Sequence, residues 1–193
     1  MILLISTCTE KFHELEFVKP IEKILSENKI SFFMKHYSQL TDNDLKKANK
    51  IIICGTSLKD NQFLNHINKF NWIRNYNKPL LGICAGMQII SLVYELERQV
   101  KKLDIKNNLN HVIKTKTEIG FYKEDFKKEF LSLIGEHEVY HLHNNYVTLP
   151  KNFISFTKSK IPQAIKHKSK EIYGILFHPE VRNRRLIEEF IKN

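Results

Sequence analysis

The first half of the chain alternates short apolar runs with amphipathic stretches, and this alternation limits the fold more than any other feature. The predicted strands cover residues 2–6, 30–34, 51–54 and 80–83, and the predicted helices cover residues 12–26, 42–49, 62–76 and 86–95. The run at 51–54 is entirely apolar, as expected of a central strand in a parallel sheet. This βαβα order predicts an α/β fold, an open and mostly parallel twisted sheet with helices on both faces.

The second half changes character. Further strands are predicted at residues 112–121, 139–142, 153–157, 163–167 and 172–177, and a closing helix at 181–191. The sequence has no repeat, no low-complexity segment and no linker. We therefore expect residues 1–193 to form a single domain, because this length suits one full core and is short for two.

Composition excludes several classes of protein. No apolar run approaches the ~20 residues that a membrane span needs, and we interpret the apolar N-terminal run 1–6 as a buried strand, not a signal peptide. The three cysteines form no CxxC pair, which favours a reducing cytoplasm and no metal site. The net charge of +10 is spread over scattered lysines, so we expect no nucleic-acid partner. A basic surface of this kind suits a phosphorylated substrate or an acidic protein partner.

The segment 80–88, Leu-Leu-Gly-Ile-Cys-Ala-Gly-Met-Gln, joins an apolar strand to a helix through G-x-C-x-G. This is the cysteine form of a nucleophile elbow, in which the nucleophile lies on a strained turn that only small neighbours allow. The helix N-terminus favours the thiolate of Cys84, and the Ala85 amide is placed to donate to an oxyanion. The alternative is a buried structural cysteine beside two packing glycines, Gly82 and Gly86.

A cysteine nucleophile needs a base, since an unperturbed thiol is only a few per cent ionised at neutral pH. Among nine histidines, His178 is distinctive because it ends an apolar strand and is followed by Pro179 and Glu180. Residues i and i+2 of an extended segment point to the same side. Glu180 can therefore hold one imidazole nitrogen while the other faces Cys84, which is the general logic of a catalytic triad.

The motifs GICAGMQ and FHPE together resemble the class I (triad-type) glutamine amidotransferases, over the whole chain and most strongly at 79–91 and 161–181. The resemblance implies the flavodoxin-like three-layer fold of that family. It assigns triad roles to Cys84, His178 and Glu180. It also implies that Gln88 holds the substrate, and that the backbone of segment 140–145 grips the amino-acid end of glutamine; the substrate-binding residues expected there are Leu142, His143 and Asn144.

The segment 53–57 falls where the family carries a Gly-Gly-Pro oxyanion loop, but only Gly55 of the glycine pair is present and Thr56 takes the second position. A β-branched residue resists unusual backbone angles. The sequence therefore predicts that, in the free chain, the Thr56 amide points away from the oxyanion and that binding of a partner reorients it. The expected consequence is a low basal glutaminase activity that rises at least tenfold on partner binding.

Within the family, segments 163–168 and 172–181 look most like the separate glutaminase subunit of archaeal GMP synthetases. The resemblance implies hydrolysis of glutamine and delivery of ammonia to a separate ATP-dependent synthetase, of the ATP-pyrophosphatase type, that converts XMP to GMP. The chain carries no nucleotide signature, so ATP and Mg²⁺ are expected to belong to that partner and no cofactor to this chain. Open alternatives are a free-standing γ-glutamyl hydrolase, a subunit serving another acceptor enzyme, and a non-catalytic regulatory module.

Overall fold

The computed structural model describes residues 1–99 and 112–193. The described residues form a seven-stranded sheet and a separate two-stranded sheet. The strands are β1 Ile2–Ser6, β2 Phe32–His36, β3 Lys50–Ile53, β4 Leu80–Ile83, β5 Ile113–Phe130, β6 Leu133–Val147, β7 Phe153–Ser155, β8 Ala164–His167 and β9 Ile172–Ile175. No helix in the described ranges is long and apolar enough to cross a membrane.

The described α-helices are α1 Glu14–Phe17, α2 Lys19–Glu27, α3 Asp42–Lys47, α4 Gln62–Asn65, α5 Ala85–Gln99 and α6 Arg184–Lys192, with 3₁₀-helices at Lys11–His13, Tyr37–Gln39 and Ile67–Asn75. Two helices that were predicted as continuous are each divided into shorter helices in the structure. The helix predicted over 12–26 breaks before Lys19, where Pro20 takes an N-terminal position of α2 that needs no amide hydrogen. The helix predicted over 62–76 is a short α4 followed by a 3₁₀-helix. Helix α6 begins three residues later than predicted.

The seven-stranded sheet has the order β2-β1-β3-β4-β9-β8-β7, in which β1, β2, β3, β4 and β9 are parallel. Strands β8 and β7 extend it antiparallel beyond β9. The predicted α/β class, with an open and mostly parallel sheet, is therefore confirmed. The order also makes β3, β4 and β9 neighbours, so the loops that follow them meet at one edge of the sheet. That edge, at the carboxyl ends of parallel strands, is where open α/β sheets bind ligands.

Alternate residues of the central strands feed two separate cores, as the two-residue period of a strand requires. Leu3 and Ile5 face one core, against α5 and the 3₁₀-helix Ile67–Asn75. Leu4 and Ile52 face the other, against α2 and α6. The helices therefore cover both faces of the sheet, as predicted.

Strands β5 and β6 form a long antiparallel hairpin, much longer than the predicted strands at 112–121 and 139–142. Its far end is anchored because Phe126, Phe130 and Leu133 are buried in the α2–α6 core. Its other part runs across the mouth of the sheet edge, where the backbone amide of His178 donates to Tyr140 O at 2.8 Å. The hairpin thus forms the second wall of whatever site lies at that edge.

Candidate active site

Cys84 lies directly after β4 and before α5, at the predicted strand–helix turn. Its φ angle of 48° is in the left-handed region, which costs a non-glycine residue about 1–3 kcal/mol. Its backbone amide donates to Ile175 O of β9 at 2.7 Å, which fixes the turn to the neighbouring strand. The strained elbow geometry predicted from the sequence is therefore present.

The two flanking glycines are required by space. A Cβ atom on Gly86 would lie 2.4 Å from the carbonyl oxygen of Ile53, and one on Gly82 would lie 2.5 Å from the carbonyl carbon of Gly86. Both distances are shorter than a carbon atom tolerates, and both involve rigid backbone atoms. Only glycine at these two positions lets α5 start this close to β3 and β4.

His178 follows β9 and is 1% exposed, with its Nδ1 atom 2.7 Å from Glu180 Oε1. The predicted pairing of residues i and i+2 is present. Burial works against a charged imidazole, but the interactions with Glu180 and Cys84 outweigh it and raise the pKa of His178 well above its usual value. A Cβ atom on Gly55 would lie 2.7 Å from His178 Cε1 and 3.4 Å from Cys84 Cβ, so both side chains converge on Gly55.

The orientation of the Gly55–Thr56 peptide decides whether this loop can serve an oxyanion. The Gly55 carbonyl oxygen faces residues that follow β1, at 3.5 Å from Thr7 Oγ1 and 3.9 Å from Cys8 Sγ. In a trans peptide the N–H points away from the C=O, so the Thr56 amide points away from Thr7 and Cys8. The φ angle of Thr56 is outside the left-handed region.

Asp60 anchors the loop and was not identified from the sequence. This carboxylate is 4% exposed, and its Oδ2 atom accepts hydrogen bonds from Thr56 Oγ1 at 2.6 Å and from the Thr9 amide at 3.0 Å. His13 Nδ1 lies 2.8 Å from the same oxygen. The four-residue spacing of Thr56 and Asp60 lies in a loop without periodicity, so no sequence pattern marks it.

A small cleft opens beside the thiol. Its lining includes Thr56, Ala85 and the four residues predicted to bind substrate, Gln88, Leu142, His143 and Asn144; it also includes Ser57, Leu58, Asp60, Asn61, Phe63, Cys84 and Asn145. Leu142 O lies 3.5 Å from Cys84 Sγ. Gln88 Nε2 donates to Asn145 O at 2.9 Å and joins the first turn of α5 to β6. Gly55, His178 and Glu180 are not among the residues that line this cleft.

The other two cysteines are buried and free. Burial raises the pKa of the Cys8 thiol and raises that of Cys54 still further above its usual value. Both thiols are therefore poor candidates for a thiolate nucleophile at neutral pH. Neither lies at a helix N-terminus.

The model of the family "Glutamine amidotransferase class-I" matches residues 14–193. The chain is 34% identical over 120 residues to a glutamine-hydrolysing GMP synthase of Spiroplasma kunkelii, covering 60% of this chain and 21% of that protein. It is 34% identical over 121 residues to one subunit of such a synthase from Methanococcus aeolicus, covering 62% and 60%. It is 26% identical over 162 residues to the imidazole glycerol phosphate synthase subunit HisH of Mannheimia succiniciproducens, covering 77% and 82%.

The fold has a solved counterpart. The crystal structure of a protein assigned as one subunit of a GMP synthase, from Thermoplasma acidophilum, superposes with a TM-score of 0.78 at 22% identity, covering 99% of this chain and 92% of that one. At this identity the similarity concerns the fold. The GMP synthase relatives named above are matched over 60% of their length or less.

Proposed function

The chain belongs to the class I glutamine amidotransferase family, and from this premise we propose that it is a glutaminase that supplies ammonia to a separate ATP-dependent synthetase. The observation that carries the proposal is the convergence of Cys84, on its strained elbow, and the His178–Glu180 pair on Gly55. The three free cysteines suit a cytoplasmic setting.

In the first half of the reaction, the Cys84 thiolate attacks the side-chain carbonyl carbon of glutamine, and its proton resides on His178. Glu180 holds the imidazole in the orientation that keeps Nε2 free for this transfer. The oxyanion that forms accepts hydrogen bonds from the amides of Ala85 and Thr56, and one such donor is worth about 3–4 kcal/mol in the transition state. The Gly55 carbonyl, facing Thr7 and Cys8, supports the required direction of the Thr56 amide.

In the second half, His178 donates its proton to the departing nitrogen, and ammonia leaves as the γ-glutamyl thioester forms. Water then attacks the thioester carbon, His178 takes the proton of that water, and glutamate is released with the Cys84 thiolate regenerated. The net reaction is glutamine plus water to glutamate plus ammonia. Gln88 and the backbone of Leu142, His143 and Asn144 hold the glutamine, since they line the cleft beside the thiol.

We assign the partner to the GMP synthetase type, an ATP-pyrophosphatase that aminates XMP to GMP with its own ATP and Mg²⁺. The support is the set of relatives that are separate subunits of GMP synthases, at 30–36% identity. A second partner, the other part of an imidazole glycerol phosphate synthase, is favoured by a specific observation: the HisH relatives align over a larger share of both chains, although at 26% and 28% identity.

The test measures glutamate release from glutamine by the chain alone, with a GMP synthetase partner plus XMP and ATP–Mg²⁺, and with the other subunit of an imidazole glycerol phosphate synthase and its substrate. We expect release with the wild type, stimulation of that release by the GMP synthetase partner, and no release with Cys84→Ala. Stimulation by the imidazole glycerol phosphate synthase subunit alone would assign the chain to that enzyme and not to a GMP synthetase. Release only from γ-glutamyl peptides would favour a γ-glutamyl hydrolase, and no release under any condition would favour a regulatory module.

A further inference from the structure

The inner face of the hairpin carries three buried side chains with nitrogen and oxygen donors. Glu118, His141 and His143 are 7%, 1% and 1% exposed, and the register of β5 and β6 places Glu118 opposite His143. His141 and His143 are two residues apart and project from the same face. One donor atom from each lies within 4.8 Å of the others.

We propose that Glu118, His141 and His143 form a site for a zinc ion or a similar transition-metal ion. Two imidazoles and a carboxylate are ligands that zinc takes in proteins, and ligands about 2.0–2.1 Å from a tetrahedral zinc lie about 3.3 Å from one another. Here Glu118 Oε2 lies 3.0 Å from His141 Nδ1 and 3.1 Å from His143 Nε2. A small outward movement of these side chains therefore creates the coordination distances.

The lack of hydrogen bonds at the His143 ring supports an ion site. Neither of its ring nitrogens has a hydrogen-bond partner within the described parts of the chain, although Nε2 is close enough to Glu118 for one. His143 Nε2 and Glu118 Oε2 are close to each other but poorly aligned for a hydrogen bond. This is the arrangement expected of two metal ligands, because both atoms then point to the ion and not to each other. A buried polar atom without a partner is uncommon in a native protein and calls for an explanation such as an ion.

The surroundings of the three ligands also fit a metal site. Histidines that bind metals usually donate their second ring N–H to a carboxylate, and His141 Nε2 lies 3.6 Å from the buried Glu124 Oε1. Lys116 Nζ is 2.6 Å from Glu118 Oε1, which leaves Oε2 for the ion. The side-chain amide of Gln163 is 3.1 Å from Glu118 Oε2, and a rotation of this amide brings its oxygen to the site as a fourth ligand.

The position of the site suggests its purpose, and this step rests on the proposed function. Leu142 lies between the two histidine ligands, and its carbonyl oxygen is 3.5 Å from Cys84 Sγ. An ion bound to both neighbours fixes this backbone and so pre-organises the wall that holds glutamine. The site was not expected from the sequence, which predicted no metal in this chain.

The test is equilibrium dialysis of the full chain against zinc, followed by metal analysis, in a Cys84→Ala background that removes a competing thiolate ligand. We expect one zinc ion per chain, retained in His137→Gln, a matched control on the same strand. Glu118→Gln and His143→Gln should weaken binding by at least about tenfold. Zinc at about 100 times its Kd should raise the melting temperature by about 5 °C or more in the control and not in the two variants.

Circular dichroism of the zinc-free variants checks that they are folded, and Glu118→Gln preserves the shape of the side chain if His143→Gln does not fold. Two results would overturn the proposal. One is a chain that takes up no stoichiometric zinc, in which case Glu118 only centres a hydrogen-bond network. The other is zinc uptake that neither ligand variant reduces, which places the ion elsewhere. Both results leave the glutaminase proposal intact, since glutamate release is measured separately.

Discussion

His178 and His143 are both 1% exposed, yet their surroundings shift their pKa values in opposite directions. At the sheet edge, the interactions with Glu180 and Cys84 outweigh burial and raise the pKa of His178 well above its usual value. In the hairpin, burial outweighs the attraction of Glu118 and lowers the pKa of His143 to about 4. The sheet edge therefore favours a histidine that holds a proton, and the hairpin favours a neutral histidine.

The two walls of the cleft also differ in how they are built. The sheet edge is formed by turns after neighbouring parallel strands, with glycines where backbones touch. The hairpin packs buried polar groups on its inner face and exposes Ile119 and Phe121 on its outer face, at 53% and 58%. On the proposed function, we therefore expect a division of work in which the sheet edge performs the chemistry and the hairpin holds the substrate.

The largest expected effect is at the base. His178→Asn should lower the rate of glutamate release by about 10⁶-fold, because loss of one triad member forfeits most of the effect of the cooperating group. Glu180→Gln should cost less, since the fold and the remaining hydrogen bonds still orient the imidazole. Steady-state kinetics of both variants measure this. If His141→Gln or His143→Gln proved more damaging than His178→Asn, the division of work would be wrong.

Substitution of one glycine in each wall should lower the free energy of unfolding by different amounts. Gly86→Ala should lower the free energy of unfolding by about 3 kcal/mol, because its Cβ meets rigid backbone. Gly135→Ala in the hairpin has open space around its Cβ, and only its φ of 75° opposes the change, by about 1 kcal/mol. Urea denaturation of both variants measures the difference. Equal losses would show that the elbow has more room than its geometry indicates.

The sheet edge could be predicted better than the hairpin, because the interacting residues of the sheet edge are closer together in the sequence. The strand–Cys84–helix turn and the pair of His178 and Glu180 depend on residues close in sequence, so local pattern and family resemblance located them. The pairing of Glu118 with His143 depends on hairpin register between residues far apart in the chain. The inner face of the hairpin is polar, so its strands do not show the alternation of apolar and polar residues from which strands are predicted. The sequence pattern therefore predicted neither the length of the hairpin nor its buried polar cluster.

Substitutions of Thr56 test whether this residue holds the oxyanion loop in place through Asp60 or limits the basal activity until a partner binds. Because its hydroxyl donates to Asp60 at 2.6 Å, we expect Thr56→Val to lower basal glutamate release by about tenfold, equivalent to about 1.4 kcal/mol in the barrier, and Thr56→Ser to retain it. The gate expected from the sequence requires the opposite for Thr56→Gly, a raised basal rate and less stimulation by the partner. Rates of the three variants with and without partner decide between them.

The smallest expected effect is on stability in acid. Burial opposes the Asp60 carboxylate, but hydrogen bonds from Thr56 and His13 lower its pKa below the usual value. A carboxyl group with a lowered folded-state pKa stabilises the protein above its unfolded pKa of about 4, and this stabilisation is lost as the pH falls through the folded value. The stability difference between wild type and Asp60→Asn should therefore shrink below about pH 4. A difference that stays constant across that range would show that Asp60 does not titrate as described.

Covalent labelling by an electrophilic glutamine analogue, followed by peptide mass mapping, tests whether Cys84 is the nucleophile of a glutaminase. We predict a single modified peptide containing Cys84, protection by excess glutamine, and no labelling of Cys84→Ala. Cys8→Ala and Cys54→Ala should label like the wild type, because burial keeps both thiols protonated. Modification of Cys8 or Cys54 in place of Cys84, or labelling that glutamine does not prevent, would contradict the claim.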